Sequence, residues 1–194
     1  MSTEPKSNGA AKFECEPDLA SADQMIELLT GVAGEAVTFQ AFPDSKDSSG
    51  FPWHGHGALK ELAPRLITAQ RAGCGVFICV NETDGKGRRR ENIVAARANF
   101  VDLDGTPLPA TWAIEPHLIV ESSRARFHAY WFVNDWLSDL ELWSENQGRL
   151  AAYYNADSSV VDPPRVMRLA GFWHLKGEPF RSRIIGGTAA GQRP

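Results

Sequence analysis

Asp102 and Asp104 stand one residue apart at the end of an apolar run, Asn99-Phe100-Val101-Asp102-Leu103-Asp104-Gly105. Side chains alternate across a strand, so both carboxylates share a face with Phe100 while Val101 and Leu103 take the other. At a rise of ~3.3 Å per residue they lie roughly 7 Å apart. Hard oxygen donors so placed suit divalent cations, which sit about 3.5–4 Å apart in two-metal phosphoryl-transfer sites. The plain alternative is a strand running into an ordinary Asp-Gly turn. Two aspartates alone rarely hold two ions that also carry a substrate's phosphates, so a third carboxylate is needed. Asp157 and Asp162 are the candidates.

Partners for these carboxylates follow in the chain. In Arg126–Val133 the residues Arg126, His128 and Tyr130 fall on one strand face, opposite Phe127, Ala129, Trp131 and Val133. Arg165 and Arg168 are three apart around Val166 and Met167, and arginine suits bidentate recognition of phosphate. Lys86 and Arg88-Arg89-Arg90 make a basic loop, a candidate nucleic-acid contact, with Tyr130 or Trp131 as weaker stacking candidates.

The elements that must position these groups read as strands separated by helices, with one hairpin. A capping box at Ser21 and Gln24 opens a helix whose apolar face is Met25, Leu28 and Leu29. Residues 37–41 form a strand, and 43–57, rich in Gly, Ser, Asp and Pro, a loop. Leu59–Ile67 is a helix that Pro64 interrupts. Strands follow at 75–80 and 93–104, around the polar excursion 81–92. Residues 117–121 and 126–133 form the hairpin. Ser138 with Glu141 caps a helix through Leu140, Trp143, Leu150, Ala151 and Tyr154. Residues 165–169 are a short strand, and Ile184-Ile185 a last one. The pattern predicts an α+β fold of α/β two-layer type. Residues 1–20 read as a flexible tail, 21–185 as one domain and 186–194 as a linker-like tail.

The chain has 194 residues, 43% hydrophobic and 23% charged, as in an ordinary soluble domain. No apolar run approaches the ~20 residues of a membrane span, and the N-terminus lacks a signal-peptide core. Cys15, Cys74 and Cys79 have no metal-ligand spacing and are odd in number, which fits a reducing cytoplasm. The net charge of −4 does not advertise nucleic-acid binding, yet the basic residues are clustered enough to bind phosphates locally.

The order Asp102-Leu-Asp104-Gly, then Ser122-Ser123-Arg124-Ala-Arg126-Phe-His128-Ala-Tyr130-Trp131, then Asp157 and Arg165-Val-Met-Arg168-Leu-Ala-Gly-Phe172 with Lys176, resembles the three motifs of the archaeo-eukaryotic primase superfamily. It is most similar to the plasmid and phage branch of RepB-type primases and primase-polymerases, over residues 75–180. The resemblance implies a primase catalytic core with a sheet module like an RNA-recognition motif. Asp102, Asp104 and Asp157 would bind two Mg²⁺ or Mn²⁺ ions. His128, with Arg126, Ser123, Arg165, Arg168 and Lys176, would bind the nucleotide; Arg88, Arg89, Arg90, Arg124 and Tyr130 would contact nucleic acid. Arg126 stands where the family usually has a serine, and Ala170 where it usually has a proline. The implied partners are a single-stranded DNA template, NTP or dNTP substrates and a replicative helicase, with the chain a monomer free of membranes.

Two other classes compete. A rolling-circle or relaxase endonuclease would use His54 and His56 as metal ligands and Tyr153 or Tyr154 as nucleophile; the histidines, however, fall in the stretch read as loop. A non-catalytic module for single-stranded nucleic acid would keep the basic patches and lack turnover.

Overall fold

The computed structural model describes residues 16–188. The first fifteen residues of the expected tail, with Cys15, and the last six of the C-terminal tail lie outside the described residues.

Helix α1 (Leu19–Thr30) is capped by Asp18, whose carboxylate accepts from both the N–H and the hydroxyl of Ser21. The expected cap at Ser21 is therefore corrected. Asp18 sits in extended backbone just ahead of the open N–H groups, whereas Ser21 is already helical. The chain then forms β1 (Val37–Pro43), β2 (Trp53–Gly57), α2 (Leu59–Arg71), β3 (Cys74–Cys79) and β4 (Glu82–Thr83). A 3₁₀ turn over Arg90–Asn92 leads into β5 (Ile93–Leu103), followed by β6 (Leu118–Ser123) and β7 (Arg126–Leu137). Helix α3 (Leu140–Tyr153) and strands β8 (Val166–Arg168), β9 (Trp173–His174), β10 (Phe180–Arg181) and β11 (Arg183–Gly186) complete the described chain. At α3 the cap is Asp139, which accepts from the N–H groups of Glu141 and Leu142, not Ser138. In both helices a carboxylate takes the role expected of a nearby serine.

Two antiparallel sheets result, with strand orders β2-β1-β3-β8 and β11-β6-β7-β5-β4; β9 and β10 pair separately. Strand β2 corrects the loop expected over 43–57: Trp53–Gly57 pairs with Val37–Ala41 as an edge strand. One core joins the sheets. Met25, Ile26 and Leu29 of α1 and Leu66 of α2 meet Phe39, Ile78, Phe100, Val120 and Tyr130 in it. Beyond β4 the edge of β5 would be open, and α3 closes it. The Gln147 side chain accepts from the Phe100 N–H and donates to the Phe100 carbonyl, both at 2.8 Å, standing in for a neighbouring strand. The Trp143 indole N–H donates to the Ala98 carbonyl at 2.9 Å. Among the described residues no helix is long and apolar enough to cross a membrane.

Candidate active site

Strands β5 and β7 pair in a register that sets Asp102 opposite His128 and Leu103 opposite Phe127. Alternation then puts Arg126 beside Asp104, and its Nε lies 3.0 Å from Asp104 Oδ1. The expected division of faces is seen: Phe100 and Tyr130 enter the main core, while Val101, Leu103, Ala129 and Trp131 pack in a second cluster on the reverse face. Asp102, Asp104, Ser123, Arg126 and His128 line one cavity of about 150 Å³, walled by Arg168 and His174.

Charge is crowded here. Burial, then the charges of Asp104 and Asp157, push the Asp102 carboxyl up to about 6; Arg126 and Arg165 offset this only in part. Burial and the nearby Arg168 push His128 down to about 3, so its imidazole is neutral at neutral pH. The 3.8 Å approach of His128 Nε2 to Asp102 Oδ1 is thus not an ion pair. The Tyr130 hydroxyl lies 3.3 Å from His128 Nδ1, and burial holds that phenol protonated. When the phenol donates to Nδ1, the imidazole keeps its proton on Nε2, aimed at the cavity.

Asp157 is brought beside Asp102 by a helix end, although its side chain is not among those lining the cavity. Asn155 adopts a left-handed φ of 50°. The Asn155 N–H donates to the Ala152 carbonyl and the Ala156 N–H to the Ala151 carbonyl, a Schellman turn. That turn aims the Asp157 N–H at the Asp102 carbonyl, 3.0 Å away. The Asp157 carboxylate accepts from the Ser159 N–H and hydroxyl. Asp162 is instead held by Arg165, whose Nε donates to Asp162 Oδ1 at 2.7 Å. Of the two third-carboxylate candidates, Asp157 is the one whose charge is among the largest influences raising Asp102. No three His, Cys, Asp or Glu side chains are gathered as a ready metal cage among the described residues. The donor set still fits a hard divalent cation: the carboxylates of Asp102, Asp104 and Asp157 repel one another, and such a cation would relieve that repulsion.

Several expected contacts are corrected. Arg168 is not a free phosphate clamp: its guanidinium is bidentate on Asp44, at 3.0 and 3.3 Å, and stacks on Phe77. Both side chains of that pair are buried, 8% and 7% exposed. Only a glycine at 75 leaves room for it, since a Cβ there would lie 2.5 Å from Arg168 Nη1. Arg88 is a latch, with Nε donating to Gln40 Oε1 and Nη1 to the Pro164 carbonyl. Arg90 pairs with Glu141; Arg89 and Arg124 remain exposed at the surface. Tyr130 is wholly buried, so it presents no ring for a base to stack on. Lys176 lines a separate open groove with Lys46 and Asp44, joined to the cavity through the Asp44–Arg168 pair.

His54 and His56 sit on the exposed face of β2, lining a small cavity with Thr38 and Lys86. Tyr154 is elsewhere, stacked on Trp131 in the second cluster. The histidine pair and the tyrosines are not brought together. Two residues went unread in the sequence. His174 lines the cavity, but a two-residue strand carries no periodicity. Asp44 is 124 residues from Arg168 in a Pro/Ser-rich stretch, and nothing local marks it as a partner.

A family model for the RepB DNA-primase N-terminal domain matches residues 80–184. No curated protein matches the chain. Three solved structures share its fold. The primase-polymerase domain (archaeo-eukaryotic primase type) of cyanophage S-2L is 20% identical with a TM-score of 0.70, covering 89% of this chain and 92% of its own. The primase RepB′ is 18% identical with a TM-score of 0.63, covering 87% of this chain and 56% of its own. The RepB′ catalytic domain in complex with initiator DNA is 20% identical with a TM-score of 0.58, covering 86% and 85%. The α+β class and the archaeo-eukaryotic primase architecture expected from the motifs are those found.

Proposed function

The chain belongs to the RepB DNA-primase N-terminal-domain family, and from that membership we propose that it makes primers de novo on single-stranded DNA in plasmid or phage replication. The reaction is template-directed nucleotidyl transfer from NTPs or dNTPs. The observation that carries this reading is the shared cavity of Asp102, Asp104, Ser123, Arg126 and His128. Carboxylates crowded at the centre of a basic cleft would repel a DNA backbone, which favours catalysis over passive binding.

Asp102, Asp104 and Asp157 would hold two Mg²⁺ or Mn²⁺ ions. Bound there, such ions lower the pKa of an attacking 3′-hydroxyl and neutralise the triphosphate and leaving pyrophosphate. Neutral His128 donates its Nε2–H to a phosphate oxygen, which a charged carboxylate neighbour alone would repel. Arg126, which pairs with Asp104 and lines the same cavity, would face the triphosphate there. Ser123 supplies a hydroxyl from the β6 end of the cavity. Arg168 acts through Asp44: the buried pair fixes the wall against which the nucleotide lies. Arg165 keeps Asp162 out of the metal set. Lys46 and Lys176 offer charge to the strand leaving the cavity, with Arg89 and Arg124 as outer contacts.

The test is primer synthesis on single-stranded DNA with Mg²⁺ or Mn²⁺, comparing wild type with Asp102→Ala/Asp104→Ala. Labelled products are expected from the wild type and lost by at least about a thousandfold in the folded variant. Products that persist in the variant refute the site; wild-type binding of DNA without any metal-dependent synthesis or extension refutes the enzyme.

A further inference from the structure

The reverse face of the catalytic sheet holds a second cavity that the proposed reaction does not use. It encloses about 490 Å³ between β5, β7, the segment before β6 and the C-terminal turns of α3. Cross-strand partners Asn99 and Trp131 form its floor. The Trp131 indole is stacked on Tyr154, with ring planes 14° apart, and Trp112 meets it edge-on. Tyr153 and Ile114 stand at the rim, 70% and 71% exposed. Asn99 is three residues from Asp102 on the same strand, on the opposite face and roughly 10 Å along it.

Amide and imidazole side chains of Asn99, His117 and Asn146 line this aromatic pocket, and one of their atoms lacks a hydrogen-bond partner. The Asn99 Oδ1 atom is buried and has no hydrogen-bond partner. Leaving such an acceptor unmade is destabilising, so a buried orphan of this kind calls for an explanation. His117 accepts the Phe132 N–H on Nδ1 at 2.8 Å, so in the neutral ring Nε2–H is a donor. Its ring is stacked on Phe132, and burial lowers its pKa. Asn146, from α3, adds a side-chain amide. No lysine or arginine is among the lining residues, so phosphates are not drawn in.

An acceptor in need of a donor, amide and imidazole N–H groups beside it, and flat aromatic walls are complementary to a planar heterocycle with a polar edge. We propose that this cavity binds one nucleobase, stacked between Tyr153 and the floor and hydrogen-bonded to Asn99 Oδ1. The base comes either from a free nucleoside or from single-stranded DNA passing around the edge of the sheet; the chemistry recognised is the same. The proposal is independent of the metal site, because it needs neither phosphate nor metal.

The experiment titrates the protein with adenosine, guanosine, cytidine or thymidine in EDTA, reading quenching of tryptophan fluorescence. A parallel series uses a short single-stranded oligonucleotide. Asn99→Leu removes the acceptor at similar size, and Tyr153→Ala removes the wall at an exposed position where folding is not at risk. Saturable quenching is expected, with affinity reduced about tenfold in each variant, the loss of a hydrogen bond or a stacking contact. Quenching by nucleosides identifies a free-ligand site. Quenching by the oligonucleotide alone, weakened by Tyr153→Ala, places a base of the bound strand there. Absence of saturable quenching with both probes, or quenching that Tyr153→Ala leaves unchanged, overturns the proposal. Because the nucleoside titration in EDTA needs neither metal nor phosphate, failure of the pocket and failure of the primase reading are separable.

Discussion

The two faces of β5, continued by Asp104 just past its end, differ in almost everything that surrounds them. On the front, Asp102 and Asp104 meet Arg126 and neutral His128 in a cavity of about 150 Å³. On the back, Asn99, Val101 and Leu103 meet aromatic rings beside a cavity of about 490 Å³. The front holds charge that the fold itself leaves unbalanced, shown by the rise of Asp102 to about 6. The back holds a single unmet acceptor in apolar surroundings. Period-two alternation lets one strand serve both, since neighbouring residues never compete for the same side.

The largest expected effect strikes the front alone. Asp44→Ala leaves Arg168 buried without its carboxylate, and the Leu175 N–H without its acceptor. It should destabilise the protein by about 3–5 kcal/mol in urea unfolding. Primer synthesis should fall with it, while nucleoside quenching in the folded fraction stays unchanged. Equal loss at both faces would mean that they are not independently supported.

Asp102→Asn sharpens the contrast between function and stability. It removes a carboxylate that the fold penalises, and should stabilise the metal-free protein above pH 6 by up to about 3 kcal/mol while abolishing synthesis. The pH profile separates the contributions. Folded Asp102 keeps its proton to about 6 instead of 3.8, so its contribution to stability falls as pH rises across that window. Folded His128 protonates only near 3 instead of 6.5, so its contribution rises with pH between those values. The two oppose each other in the wild type. In Asp102→Asn that opposition is gone: His128 adds to His117 and His174, whose burial also lowers their pKa, and chemical denaturation in EDTA should show stability climbing with pH up to 6.5. A flat profile in the variant would refute the neutral, buried state assigned to His128.

The smallest expected effect falls where the faces join. Asn155 turns the chain so that Ala156 packs in the reverse cluster while the Asp157 N–H bonds to Asp102. Asn155→Ala should cost about 1 kcal/mol, because alanine adopts the left-handed region less readily. Thermal unfolding measures this, and Asn155→Gly should recover it. Synthesis should weaken in the alanine variant and nucleoside binding should weaken less, since Tyr154 precedes the turn.

The local sequence determined the strands that carry the chemistry and the face each side chain takes. Asp102 and Asp104 together, His128 between half-buried Phe127 and buried Ala129, and the order of the three motifs were all legible because alternation and short spacing are properties of neighbouring residues. The helices α1 and α3 were legible too, although the capping atoms were misassigned between adjacent polar residues. Partner choice was not legible. That Arg168 belongs to Asp44, that Arg88 latches Gln40 to Pro164, that Tyr130 is sealed inside and that His54 and His56 lie on a strand away from Tyr154 follow from contacts between distant segments. A guanidinium or an imidazole takes whatever acceptor and burial the packed sheets bring to it, and no spacing along the chain records that. Tertiary structure alone decided which charges were neutralised, which were left crowded around Asp102, and that Asn99 Oδ1 was left without a donor.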